Sequence, residues 1–156
     1  MQHMATLDTC QSILRRHNDN IWAIIDRRED RLIGLYAMAM LSPEGHAALL
    51  AGNFEAHDPR LSHVAALGEK VAGIYKWGVF APGIAAAAIP LISERLRTPD
   101  YRNLDLFGNG STPRGRKIME SVGFQKVANP RTPRLYRYER LANRTPLPRS
   151  LADFDL

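Results

Sequence analysis

Residues 103–126 read NLDLFGNGSTPRGRKIMESVGFQK. An alternating stretch, NLDLF, breaks at the small polar residues 108–112, and a basic segment, PRGRKIMESV, then runs to Gly123 and Phe124. The first part has the period of a strand and the second that of a short helix. Thr112 is placed to cap that helix and Pro113 suits its first position, since a cap oxygen accepts an orphan N–H and proline has none to lose. Gly123 in a left-handed stop, with Phe124 folding back toward Met119, predicts a Schellman ending. Arg114, Arg116 and Lys117 fall in the first turn, where each cation opposes the helix dipole by about 0.3–1 kcal/mol. Local stability gives no reason for them there. A phosphate-bearing ligand does, and solvated surface charge is the plainer alternative.

Upstream, VAGIYKWGVF (71–80) has strand composition, APG breaks it, and IAAAAIPLISERLR (84–97) carries Ile84, Ala88, Ile92 and Leu96 four apart on one helical face. Pro90 inside that helix implies a kink unless the helix starts at Ala86 or Ala87. Earlier still, TLDTCQSILRRH (6–17) predicts a short helix, and IWAIID and LIGLYAMAML predict an antiparallel hairpin joined by the five residues RREDR. Between residues 42 and 70, EGHAALLA and PRLSHVAAL read as two short helices, with Asp58 a cap and Pro59 a first residue for the second. Downstream, FQKVAN and RLYRYERL read as closing strands. The expected fold class is α/β of mixed (α+β) type, a mixed sheet flanked by helices. Residues 1–142 are expected to form one domain with a helical insertion at about 42–70, and residues 143–156, with two prolines and no period, an extended tail.

The chain has 156 residues, enough for one domain with a core. No apolar run approaches the ~20 residues that cross a bilayer, so no membrane is expected. The opening MQHMATLDTC has no cationic region before an apolar one, and Cys10 is the sole cysteine. Both fit a reducing, cytoplasmic setting. The net charge is +5. Residues 125–149 hold seven cations (Lys126, Arg131, Arg134, Arg137, Arg140, Arg144, Arg149) and one anion, Glu139, so the rest of the chain sums to −1. That balance suggests an acidic partner or ligand near that end, without nucleic acid being required. Tyr136 and Tyr138 alternate with arginines as in a base-stacking platform, but a charge-protected edge strand has the same pattern.

STPRGRKIMESVGFQKV and YKWGVFAPGIAAAAIPLI, in this order of elements, resemble the GNAT (general N-acetyltransferase) superfamily over roughly residues 20–140. The first looks like that family's fourth helix with its GF ending, and the second like its fourth strand and third helix. The resemblance implies a GNAT-like mixed central sheet whose two middle parallel strands splay, here at Phe80 and Phe107. It implies an acyl-CoA-dependent N-acyltransferase, using acetyl-CoA or another acyl-CoA as co-substrate and an amine of a small molecule or protein as acceptor. Donor contacts then fall on Val79, Phe80, Gly83, Ile84 and Ala85 and, across the splay, on Asn109, Ser111, Arg114 and Arg116. Glu69 lies near where such enzymes often place a glutamate. Where the family often carries an acidic tyrosine, this chain has Met119.

Acyl transfer to an amine needs a base for the ammonium and an acid for the leaving thiolate. Residues 42–70 are long for a connection, and such segments are commonly functional lids. His57 and His63 are the candidate bases there, with Glu69, and Tyr75 is the candidate acid; each has a plainer reading as a surface or packing residue. No metal site is expected: His57 and His63, six apart, do not share a helix face. Two other readings stand beside the acyl-CoA enzyme. One is an acyltransferase drawing on an acidic acyl carrier protein, the other a non-catalytic binding or regulatory module. A homodimer is left open.

Overall fold

The computed structural model describes residues 5–140. The chain order is α1 (Leu7–Arg16), β1 (Ile21–Asp26), β2 (Arg31–Leu41), α2 (Pro43–Ala51), β3 (Gly73–Phe80), α3 (Ala85–Arg95), β4 (Leu106–Asn109), α4 (Pro113–Ser121), β5 (Gln125–Lys126) and β6 (Leu135–Tyr138). Among the described residues the strands form one mixed sheet in the order β1-β2-β3-β4-β6-β5. Its one parallel pair there is β3–β4, and α3 supplies the crossover such a pair requires.

The two-residue period of β2 sends Tyr36, Met38 and Met40 to one face and Ala39 and Leu41 to the other. On the first face they meet Ile74, Leu106, Ile92 of α3 and Leu96 just past the end of that helix. On the second, Ala39 and Leu41 meet Tyr75, Phe107, Leu135, Ile13 of α1 and Leu49 of α2. Helices thus cover both faces. Asn20 ties α1 to the sheet: its buried amide donates to the Ile13 carbonyl at 2.9 Å and accepts from the Met40 N–H at 2.9 Å, so no polar atom of it is wasted.

The ends of α4 are those its sequence predicts. Thr112 accepts from the Gly115 N–H at 3.0 Å, and Gly123 has φ +102°. The Phe124 N–H bonds to the Met119 carbonyl and the Gly123 N–H to the Glu120 carbonyl, the paired bonds of a Schellman ending.

Several expectations are corrected. The helix expected over residues 59–67 shrinks to one 3₁₀ turn, Leu61–His63, and Asp58 does not cap it. Tertiary pairing wins there: Val64 bridges Leu41, the Ala65 N–H bonds to the Met40 carbonyl at 2.8 Å, and both side chains are fully buried. The hairpin turn uses residues 27–30, four rather than five, with Asp30 at φ 47°. The strand expected from residue 103 starts at Leu106, because 101–104 make a turn that buries Tyr101. α3 begins at Ala85 with Pro90 inside it, so the Ala86 carbonyl receives no helical N–H from residue 90. The tail at 143–156 lies outside the described residues, none of whose helices is long and apolar enough to cross a membrane.

Candidate functional site

β3 and β4 run side by side through Ile74 and Leu106, Tyr75 and Phe107, and Lys76 and Gly108. Then they part. β4 ends at Asn109 against β6, while β3 continues to Phe80 against β2. The splay expected at Phe80 and Phe107 therefore has its root four residues earlier on β3 and one later on β4. Its cause is a bulge. Ala37 pairs with Gly78 and Met38 with Lys76, which leaves Trp77 as an extra residue, and such insertions bend a strand away from its neighbour.

The open fork has two walls. From Lys76 to Phe80, β3 spans about 13 Å at ~3.3 Å per residue. Val79 and Phe80 stand exposed at its end, Phe80 by 65%, a large apolar surface to leave in water. Gly83 follows with φ +73°, a left-handed turn with nothing within 4 Å of the place a Cβ would take. Ile84 precedes α3 and offers no side-chain oxygen, so no side chain caps the first-turn N–H groups at Ala85. An anion can take that role. On the other wall are Asn109, Ser111 and exposed Arg114. Arg116 serves the fold: its guanidinium donates to the Gly110 carbonyl at 3.0 Å, and its Cγ would lie 2.5 Å from a Cβ on Gly110.

At the root lies a residue the sequence reading passed over. Lys76 Cε is 3.4 Å, and Met119 Sδ 3.3 Å, from the position of a Cβ on Gly108. Lys76 is half-buried, and burial lowers its ammonium pKa, the charged form being the one that loses water. Among the described residues no carboxylate forms an ion pair with it. The signal was present as a lone cation in the apolar run VAGIYKWGVF.

Across the sheet, the Trp77 indole N–H donates to the Ala56 carbonyl. That contact brings the exposed turn containing His57 to the root of the fork, on the face opposite Lys76. The other three expected catalytic residues are elsewhere. Tyr75 is buried against Phe54, ring centroids 5.2 Å apart, and burial pushes its hydroxyl up to about 12. Glu69 accepts from the Ala66 N–H at 2.7 Å and pairs with Arg16 at 3.5 Å, so it holds its own turn. His63 is buried, with Nε2 3.6 Å from Glu44 and Nδ1 without a hydrogen-bond partner. It lines a cleft of about 700 Å³ with Glu44, Phe54 and Arg60. This cleft is not the fork: His63 sits beside the Leu41 end of β2, where β2 meets the start of β3 at Gly73, three residues before Lys76.

Part of the basic end is engaged within the fold. Arg137 binds Asp105, and Arg140 donates to the carbonyls of Leu104 and Leu96. Tyr136 is buried with its hydroxyl on Glu120, so it presents no stacking platform. Cys10 is half-buried, and no cluster of metal-ligating side chains occurs among the described residues. No protein-family profile, no curated protein and no solved structure matches the chain.

Proposed function

We propose that the chain is a divergent GNAT-type N-acyltransferase that takes an acyl group, foremost acetyl, from acyl-CoA to an amine. The observation that carries this reading is the fork: two parallel strands part at Lys76 and Gly108, and the longer one leads into a helix start that no side chain caps. A long thin arm ending in phosphates fits such a slot. The arm lies along β3 from Lys76 to Phe80, and its phosphates meet the first-turn N–H groups of Ala85 and Ala86, since the Ile84 N–H is already held by the Ala81 carbonyl and anions are favoured at a helix start. Gly83 itself leaves room for them.

The amine comes from the other face of the sheet, beneath the Phe54–Asp58 loop that Trp77 holds. His57 is the base that takes the ammonium proton, since it is the one expected base that adjoins the root. Neither Met119 nor the buried Tyr75 is suited to donate a proton to the departing thiolate. An acyl carrier protein carries the same arm, but Arg137 and Arg140 are already engaged within the fold. Lys126, Arg131 and Arg134 of the same end stay exposed, so the carrier protein is kept as the second donor to be tested beside free acyl-CoA.

Titration of the protein with acetyl-CoA, longer acyl-CoAs and acylated carrier protein, followed by melting temperature, tests the reading. Acyl-CoA at about 100 times its Kd should stabilise the fold by about 2.7 kcal/mol. Stabilisation by carrier protein alone would move the donor site to the surface, and no stabilisation by any donor would end the reading. With an acceptor in hand, His57→Gln should lower turnover by about 10²–10⁴-fold.

A further inference from the structure

We propose that Lys76 is a catalytic residue of the fork, its ammonium binding the donor's thioester carbonyl oxygen and then giving a proton to the departing sulfur. The inference rests on the acyltransferase reading and adds to it the group that handles the leaving thiolate.

Three observations place Lys76 there. It is the last β3 residue matched to β4, so its side chain stands at the closed end of the fork, where the end of an inserted arm comes to rest. Its stem packs toward Gly108 and Met119, and a glycine opposite leaves space that any other residue would fill. Its charge has no carboxylate among the described residues, although it is half-buried. An ammonium withdrawn from water without a partner is unfavourable for the fold. A ligand oxygen that gains negative charge during reaction supplies the missing partner, and a partly dry site strengthens that contact. Burial also brings the ammonium closer to releasing its proton.

The acceptor nitrogen, having lost one proton to His57, forms a bond to the thioester carbon while the carbonyl pair moves onto oxygen beside Lys76. The oxygen pair then re-forms the carbonyl as the carbon–sulfur bond breaks, the bond's own pair leaves on sulfur, and Lys76 gives sulfur a proton. The second proton lost by the nitrogen restores Lys76 through solvent, and His57 releases the first. A thioester and an ammonium become an amide, a thiol and one proton.

The test is calorimetric binding of acetyl-CoA and of its S-ethyl thioether analogue, in which a methylene replaces the carbonyl, to the full chain and to Lys76→Met. The wild type should prefer acetyl-CoA by about 10- to 100-fold, the range for a charge-assisted hydrogen bond. Lys76→Met should lose that preference and keep its affinity for the thioether. Equal wild-type affinity for the two compounds would overturn the Lys76 assignment while leaving the acyltransferase reading intact, and it needs no variant. If the wild type binds neither compound, the acyltransferase reading fails first, and Lys76 falls with it. Should Lys76→Met unfold, Lys76→Leu replaces it, since it too lacks any donor. Repeating the pair with acetylated carrier protein and its thioether counterpart tells a free donor from a carried one, because both present the same thioester.

Discussion

Lys76 and Gly108 stand opposite each other as the last matched residues of two parallel strands, and the absence of a side chain on Gly108 gives Lys76 its place. Gly108→Ala would put a methyl 3.3 Å from Met119 Sδ and 3.4 Å from Lys76 Cε. Both atoms are near the ends of flexible chains that can yield, so the melting temperature should change by no more than about 4 °C. Donor binding should bear the crowding, with acetyl-CoA affinity falling by about 5- to 150-fold, the equivalent of ~1–3 kcal/mol of overpacking. A large loss of stability with unaltered affinity would show that the glycine serves only the core.

Gly45→Ala should behave in the opposite way. Its Cβ would lie 2.0 Å from the His63 carbonyl oxygen and 2.8 Å from His63 Cα, and backbone cannot swing aside. We expect urea unfolding to register a loss of about 3 kcal/mol or more, because α2 must lift off the 61–65 segment. Native-like stability in this variant would contradict the close packing of α2 on His63.

Asp105 should prove a strong anchor of the sheet. It is 4% exposed and accepts from Arg137 Nε at 2.9 Å, Arg137 Nη2 at 2.5 Å and the Arg140 N–H at 2.8 Å. Asp105→Ala leaves those donors facing an empty pocket, and a loss of about 2–4 kcal/mol is expected from chemical denaturation; the partial exposure of Arg137 keeps it below the largest buried-pair losses. A change under about 0.5 kcal/mol would mark the pair as incidental.

His46 should give the fold a dependence on pH. Burial holds its pKa below the ordinary 6.5, the Arg137 charge acts in the same direction, and Asp105 opposes them. The unfolded chain therefore binds more protons near and below pH 6.5. The stability that His46 contributes is present above that pH and is lost as pH falls through the lower folded value. Melting temperatures between about pH 5 and 7.5 should decline on the acid side, and His46→Gln should flatten that decline. An equal decline in the variant would assign the effect to other groups.

Much of this protein was legible in its own sequence. The two-residue period of LIGLYAMAML, the four-residue spacing of Ile84, Ala88, Ile92 and Leu96, and the Thr112-Pro113 start and Gly123 stop of α4 are local rules of backbone geometry and cap chemistry, and the folded chain obeys them. What local rules could not decide was whatever depends on a partner distant in sequence. PRLSHVAAL has a helical pattern, yet Val64 and Ala65 gain more by pairing with β2 and being buried, and the helix yields to one turn. The place where β3 leaves β4 is set by a register shift against β2 at Trp77, which no inspection of YKWGVF alone reveals. The same holds for the candidate site. His57, His63, Glu69 and Tyr75 were equivalent as residue types; tertiary contacts put Tyr75 in the core, set Glu69 to hold a turn, place His63 at the far end of β2 and bring the turn that carries His57 beside the fork. Lys76 was visible as a charge in an apolar strand, but only the parting of the strands beside it shows where that charge stands, because a cation's chemistry depends on the water and partners the fold leaves to it.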